Sequence, residues 1–404
     1  MNSHSLFGCG NIQYEVIFVK KLIRALSYVL VAALATVVTL SVTWRNTPTV
    51  TVQQPKLSQL QNLIEQCFIG EVDSTAIEDA AANAMVDALG DRWSYYISAA
   101  EYGSYKEQMA NAYVGIGITI QLKGENEGFL ITQVNPNGPA YEAGILAGDV
   151  IVGVEGTDVR EMIMDDVAAM VKGEEGTFVS ITVEREGAPL TFTVERRTVL
   201  ITVATGVMLE GNVGLVTIAN FDSRCAEETI GIIDSLLEEG AEALIFDVRN
   251  NPGGYARELV KVLDHLLPEC EVFRTVDYAG TEDVDYSDEN CIDPIPMAVL
   301  VNSQSYSAAE FFGAALRDYE MAVIVGEKTC GKGYFQYTYS LNDGSAVGLS
   351  VGEYFTPKGE NLAGVGLTPD YPVDVDDETF MKIYAGTLDP MEDPQILKAL
   401  EVLK

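Results

Sequence analysis

The sequence predicts a chain of several domains: an N-terminal helical region, a small β-rich barrel, and a larger α/β core built from βα crossover units. Three observations predict it. The apolar period is helical across residues 57–112, alternates in short strands across 113–197, and from 198 onward switches repeatedly between strand and helix. A length of 404 residues gives each part room for its own core. With 25 basic and 60 acidic residues the net charge is −35, which excludes nucleic acid and an anionic membrane surface as partners of the globular part and is explained by solubility.

The first 24 residues read as a cytoplasmic tail ending in Lys20, Lys21 and Arg24. From Ala25 to Trp44 the chain runs without a charge, and a helix of that length spans about 30 Å, enough to cross a bilayer. The basic flank sets the orientation, so 25–44 is expected to be a single transmembrane anchor in the cell membrane with everything beyond it extracytoplasmic. A cleaved signal peptide is the alternative, although the run exceeds a usual signal core and lacks a clear A-x-A site. Residues 45–56 form a Thr-rich tether.

In 57–112, Leu60, Leu63, Ile64 and Phe68 give one apolar helical face, and Ile77 to Leu89 a second. In 113–197 strands are expected at 116–122, 129–134, 150–154, 179–186 and 190–195, with helices at 139–144 and 164–172. The core, 198–372, opens with strands near 213–218 and 243–248 flanking a helix at 226–239, and a further helix at 256–267. The extension 373–404 is acidic, then helical from Pro394, with Ile396, Leu397, Leu400 and Leu403 on one face to dock on the core or a dimer partner.

A buried strand, Met297 to Val301, is broken by Asn302 to Tyr306, after which Ala308, Phe311, Phe312, Ala315 and Leu316 fall on one helical face. Ser307 therefore sits at a helix start. One reading is an N-cap completed by Glu310 as a capping box. The other is a nucleophile on a strand-to-helix turn, where unpaired N–H groups also hold an oxyanion. Of the two histidines, His4 lies in the tail and His265 inside a helix. A lysine serves as base if desolvation brings its pKa from about 10.4 to near 7, a loss of roughly 4–5 kcal/mol. Lys332, between Gly331 and Gly333 after the strand-like run 321–326, fits such a site, with Lys328 as its rival.

The order Asn302, Ser305-Tyr-Ser307-Ala-Ala-Glu310, Asp318, Val325-Gly-Glu-Lys-Thr-Cys-Gly-Lys332-Gly, Gln336 resembles the C-terminal processing (tail-specific) peptidases, which use a serine–lysine dyad. The resemblance covers roughly residues 57–404. It implies Ser307 as nucleophile, Lys332 as general base, Gln336 as the residue orienting the lysine, and Asp318 as an acidic position near the site. Asp247-Val-Arg-Asn-Asn-Pro-Gly-Gly254 resembles the family's D-L-R-x-N-x-G-G motif, which implies an oxyanion hole from Gly253, with Gly254 as its alternative, and Ala308. Gly90-Asp-Arg-Trp-Ser-Tyr-Tyr resembles the turn that ends the family's N-terminal helices, and in relatives such helices help form homodimers. The chain departs from the pattern at Arg92, where a proline is expected, at Tyr306, where a small residue is, and at Cys330, where an apolar one is.

Tyr113-Val-Gly-Ile-Gly-Ile118 followed by Asn137-Gly-Pro-Ala-Tyr-Glu-Ala-Gly-Ile-Leu-Ala-Gly-Asp-Val-Ile151 resembles a PDZ domain. That implies a loop, Gly115, Ile116 and Gly117, whose amides capture a peptide's C-terminal carboxylate while the peptide adds a strand beside Ile118 to Ile120. Together these resemblances imply a crotonase/Clp-protease-like α/β peptidase core with a PDZ domain. The expected activity is cleavage of proteins with free apolar C-termini through an acyl-enzyme, without a cofactor. The alternative is a catalytically silent PDZ scaffold on a peptidase-like fold. No cysteine pair has zinc-site spacing and H-E-x-x-H is absent, so no metal is expected. Cys270 and Cys291 flank a polar excursion that an oxidising compartment would allow them to close as a disulfide.

Overall fold

The computed structural model describes residues 55–404, with Leu26, Ser27, Val29, Leu30 and Ala33. The tail 1–24 and nearly all of the expected anchor 25–44 and tether 45–56 lie outside the described residues. Among the described residues no helix is long and apolar enough to cross a membrane. The chain divides into two units, 1–74 and 75–404. In the first, helix α1 (Lys56–Cys67) leaves Leu57, Leu60 and Leu63 exposed.

The second unit opens with α2 (Ser74–Asp87), strand β1 (Tyr95–Ile97) and α3 (Tyr102–Met109). A helical period alone does not foresee β1, which pairs across the chain with a strand of the core.

The barrel follows. Strand β2 (Ala112–Gly115) enters it, and its sheet is formed by β3 (Ile118–Gly124), β4 (Gly128–Val134), β5 (Val150–Val154), β6 (Thr157–Asp158), β7 (Phe178–Arg185) and β8 (Ala188–Glu195), with β9 (Arg197–Leu200) leaving beside β2. Helices α4 (Pro139–Glu142) and α5 (Met164–Val171) cover it. The order β3-β4-β5-β7-β8 makes β3 an edge strand. Alternation sends Phe129, Ile131, Ile181 and Val183 inward, to form with Ile151 and Val154 a core separate from that of the larger sheet.

Arg224 secures the stem where the barrel joins the core, donating to the carbonyls of Ala110, Asn111 and Ile201 at 2.9, 3.1 and 2.6 Å.

The core sheet comprises β10 (Ala204–Leu209), β11 (Val213–Ile218), β12 (Ala243–Asp247), β15 (Met297–Val301), β16 (Ala322–Gly326) and β19 (Tyr371–Pro372), in the order β10-β11-β12-β15-β16-β19. Every pairing from β11 onward is parallel. The crossovers carry α6 (Cys225–Glu238), α7 (Ala256–Leu266) and α8 (Ala308–Asp318). Strands β12 and β15 are buried at every residue, as continuous apolar runs in a parallel sheet covered on both faces should be. On one face Phe246 and Phe312 meet edge to face at 5.2 Å. On the other, α10 (Pro394–Val402) lays Ile396 and Ala399 against Ile245, Ala298 and Leu300, so the C-terminal helix docks on the core. Another helix, α9 (Asp377–Tyr384), forms in the stretch read only as acidic.

A second sheet has the order β1-β18-β13-β14, with β17 also on β18, from β13 (Glu271–Asp277), β14 (Glu282–Tyr286), β17 (Tyr334–Ser340) and β18 (Ala346–Phe355). The polar excursion after Cys270 is therefore a hairpin of this sheet. Its flanking Cys270 and Cys291 are free thiols, and Cys270 Sγ lies 3.3 Å from Ser287 Oγ.

Candidate active site

The loops that leave the carboxyl ends of β12, β15 and β16 converge, the place where open parallel sheets bind ligands. The first two are stitched together. Asn302 Nδ2 donates to Asn250 Oδ1 at 2.9 Å, Ser305 Oγ to the Val248 carbonyl at 2.8 Å, and the Tyr306 amide to the Asn251 carbonyl at 3.0 Å. The Cys330 amide reaches the Ser305 carbonyl at 3.3 Å and ties in the third.

Ser307 stands on the turn between β15 and α8 with φ +54°, a conformation that a residue with a side chain adopts at a cost of order 1–3 kcal/mol. Such a turn lifts a nucleophile clear of its strand. Ala308 is the first residue of α8, so its amide has no acceptor within the helix and faces the turn. Gly253 lies against both residues: a Cβ there would stand 2.8 Å from Ser307 Cβ and 3.1 Å from Ala308 N. With φ +91°, only glycine fits. The Gly253 amide donates to Asn251 Oδ1 at 2.8 Å, and its carbonyl accepts from the Phe221 amide at 2.7 Å.

Glu310 joins the two halves of the site. Its carboxylate is fully buried and accepts from the Ser307 amide at 2.8 Å, the Lys332 amide at 2.9 Å, the Gly331 amide at 2.7 Å and the Thr329 hydroxyl. The Ser307 and Lys332 amides share one oxygen, so their nitrogens lie within about 5.7 Å of each other. The capping reading and the catalytic reading of Ser307 are thus compatible, because the same Glu310 bond that starts the helix also holds the lysine's loop.

Burial pushes the Lys332 amine below its ordinary pKa, against the opposing pull of Glu310 and Asp91. Its Nζ stands 4.9 Å from the centre of the Trp93 ring. Arg92 stacks on the same indole at 4.2 Å and donates to Cys330 Sγ at 3.3 Å, while Tyr306 meets Trp93 edge on at 6.0 Å. The three departures from the family pattern, Arg92, Tyr306 and Cys330, therefore gather around one tryptophan beside the lysine. Lys328 is exposed.

Ser307 Oγ is hydrogen-bonded to Tyr354 Oη, and no hydrogen bond joins it to Lys332 Nζ. No hydrogen bond joins Gln336 to the Lys332 amine: its Nε2 donates to the Tyr334 carbonyl at 3.1 Å and to Ser350 Oγ at 3.0 Å. Asp318 sits at the far end of α8, about 16 Å along the helix from Ser307, and accepts from the Lys358 amide at 3.0 Å. His265 pairs with Asp234 at 2.9 Å and lines a cavity of about 450 Å³ with Arg224, Glu258 and Lys261, to which no residue of the site contributes.

In the barrel, Gly115 ends β2, Ile116 is buried and Gly117 has φ +80°, with Asn135 Cβ and Gly138 Cα 3.3 Å from where its Cβ would be. The loop opens onto the edge strand β3. Among the described residues no group of three or more metal-ligating side chains is assembled.

Sequence reasoning missed Tyr354 and Trp93, and it saw Glu310 only as a cap. For Glu310 a signal existed, a carboxylate within the apolar run Ala308 to Leu316. Tyr354 comes from a distant segment and left no local signal, and Trp93 lies in the Gly90 to Tyr96 motif, where nothing local ties it to the lysine.

Residues 212–373 match peptidase family S41 and residues 130–185 match a PDZ domain. A probable CtpA-like serine protease of Staphylococcus aureus (strain N315) is 30% identical over 322 residues, 79% of this chain and 64% of that protein, so the chain spans less than two thirds of the length of that relative. A carboxy-terminal processing protease CtpA of Bacillus subtilis (strain 168) is 29% identical over 324 residues, 80% of this chain and 69% of that protein. Among solved structures, a photosystem II D1 C-terminal processing protease is similar at 29% identity, with a TM-score of 0.46, over 79% of this chain and 87% of that one. By its motifs and its two domain matches the chain belongs to peptidase family S41 and carries a PDZ domain, and the two curated relatives it resembles are named as CtpA-type proteases.

Proposed function

We propose that this protein is a serine endopeptidase that recognises the C-terminal tail of its protein substrates through the PDZ domain and cuts them with Ser307 and Lys332. The observation that carries the reading is the strained Ser307 turn tied, through the buried Glu310 carboxylate, to the loop of a desolvated lysine. The neutral Lys332 amine takes the Ser307 proton as Oγ bonds to the scissile carbonyl carbon. The Ala308 amide stabilises the resulting oxyanion, while the amide of Gly253, expected to join it, is taken by Asn251 Oδ1. As the C–N bond breaks, the leaving amine takes that proton, and water then releases the acyl group with Lys332 as base again. No cofactor takes part.

The expected substrates present free apolar C-termini, the carboxylate seated on the Gly115, Ile116 and Gly117 amides and the chain added to the β3 edge. A membrane anchor at 25–44 would place the domains outside the cytoplasm, and α1 offers its exposed apolar face to a homodimer. A second reading, a silent PDZ scaffold, draws on the absence of a hydrogen bond between Ser307 Oγ and Lys332 Nζ.

A fluorophosphonate probe separates the two. Labelling at Ser307 that is lost in Ser307→Ala and in Lys332→Ala supports the peptidase; a parent protein that neither labels nor cleaves an unfolded apolar-tailed substrate is the scaffold.

A further inference from the structure

We infer that Tyr354 is a positioning residue of the site, whose hydroxyl holds the Ser307 hydroxyl off Lys332 in the resting enzyme and must release it before the nucleophile can be deprotonated. The inference rests on the serine–lysine reading above and adds a step to it. Ser307 Oγ is hydrogen-bonded to Tyr354 Oη, while Lys332 Nζ lies over Trp93. One of the two must move for the proton to pass.

Tyr354 cannot follow the serine. It is 4% exposed, and its ring packs at 4.5 Å on Phe311, 5.4 Å on Phe273 and 6.2 Å on Phe335. Its backbone is held in β18, where it pairs with Thr275 and its amide donates to the Gly333 carbonyl at 3.1 Å. The serine backbone is equally fixed, by Glu310 on one side and α8 on the other. Rotation about the Ser307 Cα–Cβ bond is the freedom left to the hydroxyl, and its staggered wells are discrete. Oγ therefore either stays on Tyr354 or leaves that hydrogen bond when it turns to the lysine.

The bond persists across the working pH range. Burial holds the phenol above its ordinary pKa, so Tyr354 stays protonated and engages Oγ throughout, as donor or as acceptor. Removing the Tyr354 hydroxyl frees Oγ to sample the well that faces Lys332. The gain should be about three- to tenfold, the size of one net hydrogen bond.

The test is the rate at which a fluorophosphonate labels the parent, Tyr354→Phe and Ser307→Ala proteins across pH, with thermal unfolding measured on each. In labelling, Oγ bonds to phosphorus, fluoride leaves and the serine proton passes to Lys332; the small probe does not need the PDZ domain. Tyr354→Phe is expected to label about three- to tenfold faster than the parent, at an unchanged pH midpoint, because that midpoint belongs to the lysine. A structure of the parent adduct is a second reading that needs no variant, and Oγ is expected there beyond hydrogen-bond distance of Tyr354 Oη. Equal or slower labelling of a folded Tyr354→Phe, or an adduct still bonded to Oη, overturns the inference and leaves the dyad standing as long as Ser307→Ala stays blank. If neither the parent nor Tyr354→Phe is labelled at Ser307, the dyad reading and this inference fall together.

Discussion

Glu310 is the side chain on which both halves of the site depend. Four donors converge on one carboxylate with no access to water, and hydrogen bonds to a charged group contribute about 1.5–3 kcal/mol each. In Glu310→Gln one oxygen becomes an NH2 facing donors, so we expect a loss of several kcal/mol in urea unfolding together with a drop in turnover of at least tenfold. A variant with parent stability and rate would mean that the strap is not needed. Asp222 makes a different prediction. It is buried, its Oδ1 has no hydrogen-bond partner, and burial raises its carboxyl to about 7. Between the unfolded value near 3.9 and that raised value, the folded protein holds a proton the unfolded chain has released, so stability falls as pH rises through this window. Asp222→Asn should therefore gain stability relative to the parent between pH 5 and pH 8, and parallel unfolding curves at the two pH values would contradict this.

Elements were legible where local pattern and burial agree. Strands β11 and β15 fall where their apolar runs predict them, and the helices α6 and α7 are met within a residue, because a two-sided parallel strand needs an unbroken run and a covering helix needs one stripe. Strand β1 was hidden because its partner, β18, is remote in sequence, and the β13–β14 hairpin because its acidic composition resembles a loop. The same distinction holds at the site. Ser307 and Lys332 lie within one motif, whereas the Tyr354 contact spans 47 residues and the Arg92–Cys330 contact beside Trp93 spans 238. Gln336 lies in β17 with its amide on Ser350, its partner across the ladder, a contact that the family pattern does not foresee. Helix α10 is held by more than its apolar face: Asp393 caps it through the amides of Gln395 and Ile396 and pairs with the buried Arg249 at 2.8 Å. Removing one partner of a buried pair costs about 3–5 kcal/mol, so Asp393→Ala should lose that much in denaturant unfolding without moving the pH midpoint of activity. A loss below 1 kcal/mol would show that the sheet retains the helix without the pair.

At the scale of the whole molecule, the barrel supplies an edge strand and a glycine loop, and the core supplies the chemistry. Gly117 is a poor place to test the first, because its positive φ makes any side chain there strained. The peptide is the better variable. A fluorescent apolar-tailed peptide with a free C-terminus should bind the intact protein at least tenfold more tightly than its C-terminal amide in anisotropy titrations, and equal binding would remove the carboxylate from recognition. The net charge of −35 makes Lys332 conspicuous, a desolvated amine in an acidic chain with no ion pair of its own among the described residues. Its depressed pKa implies that kcat/KM rises with pH through one ionisation below 10.5. The most direct measurement is the rate of Lys332→Arg across that range, because arginine keeps the charge but does not deprotonate. Lys332→Arg should be as inactive as Lys332→Ala at every pH, with His265→Gln and Lys328→Ala keeping most activity and the parent's pH profile. Cleavage by Lys332→Arg at a rate near the parent's would contradict the serine–lysine mechanism.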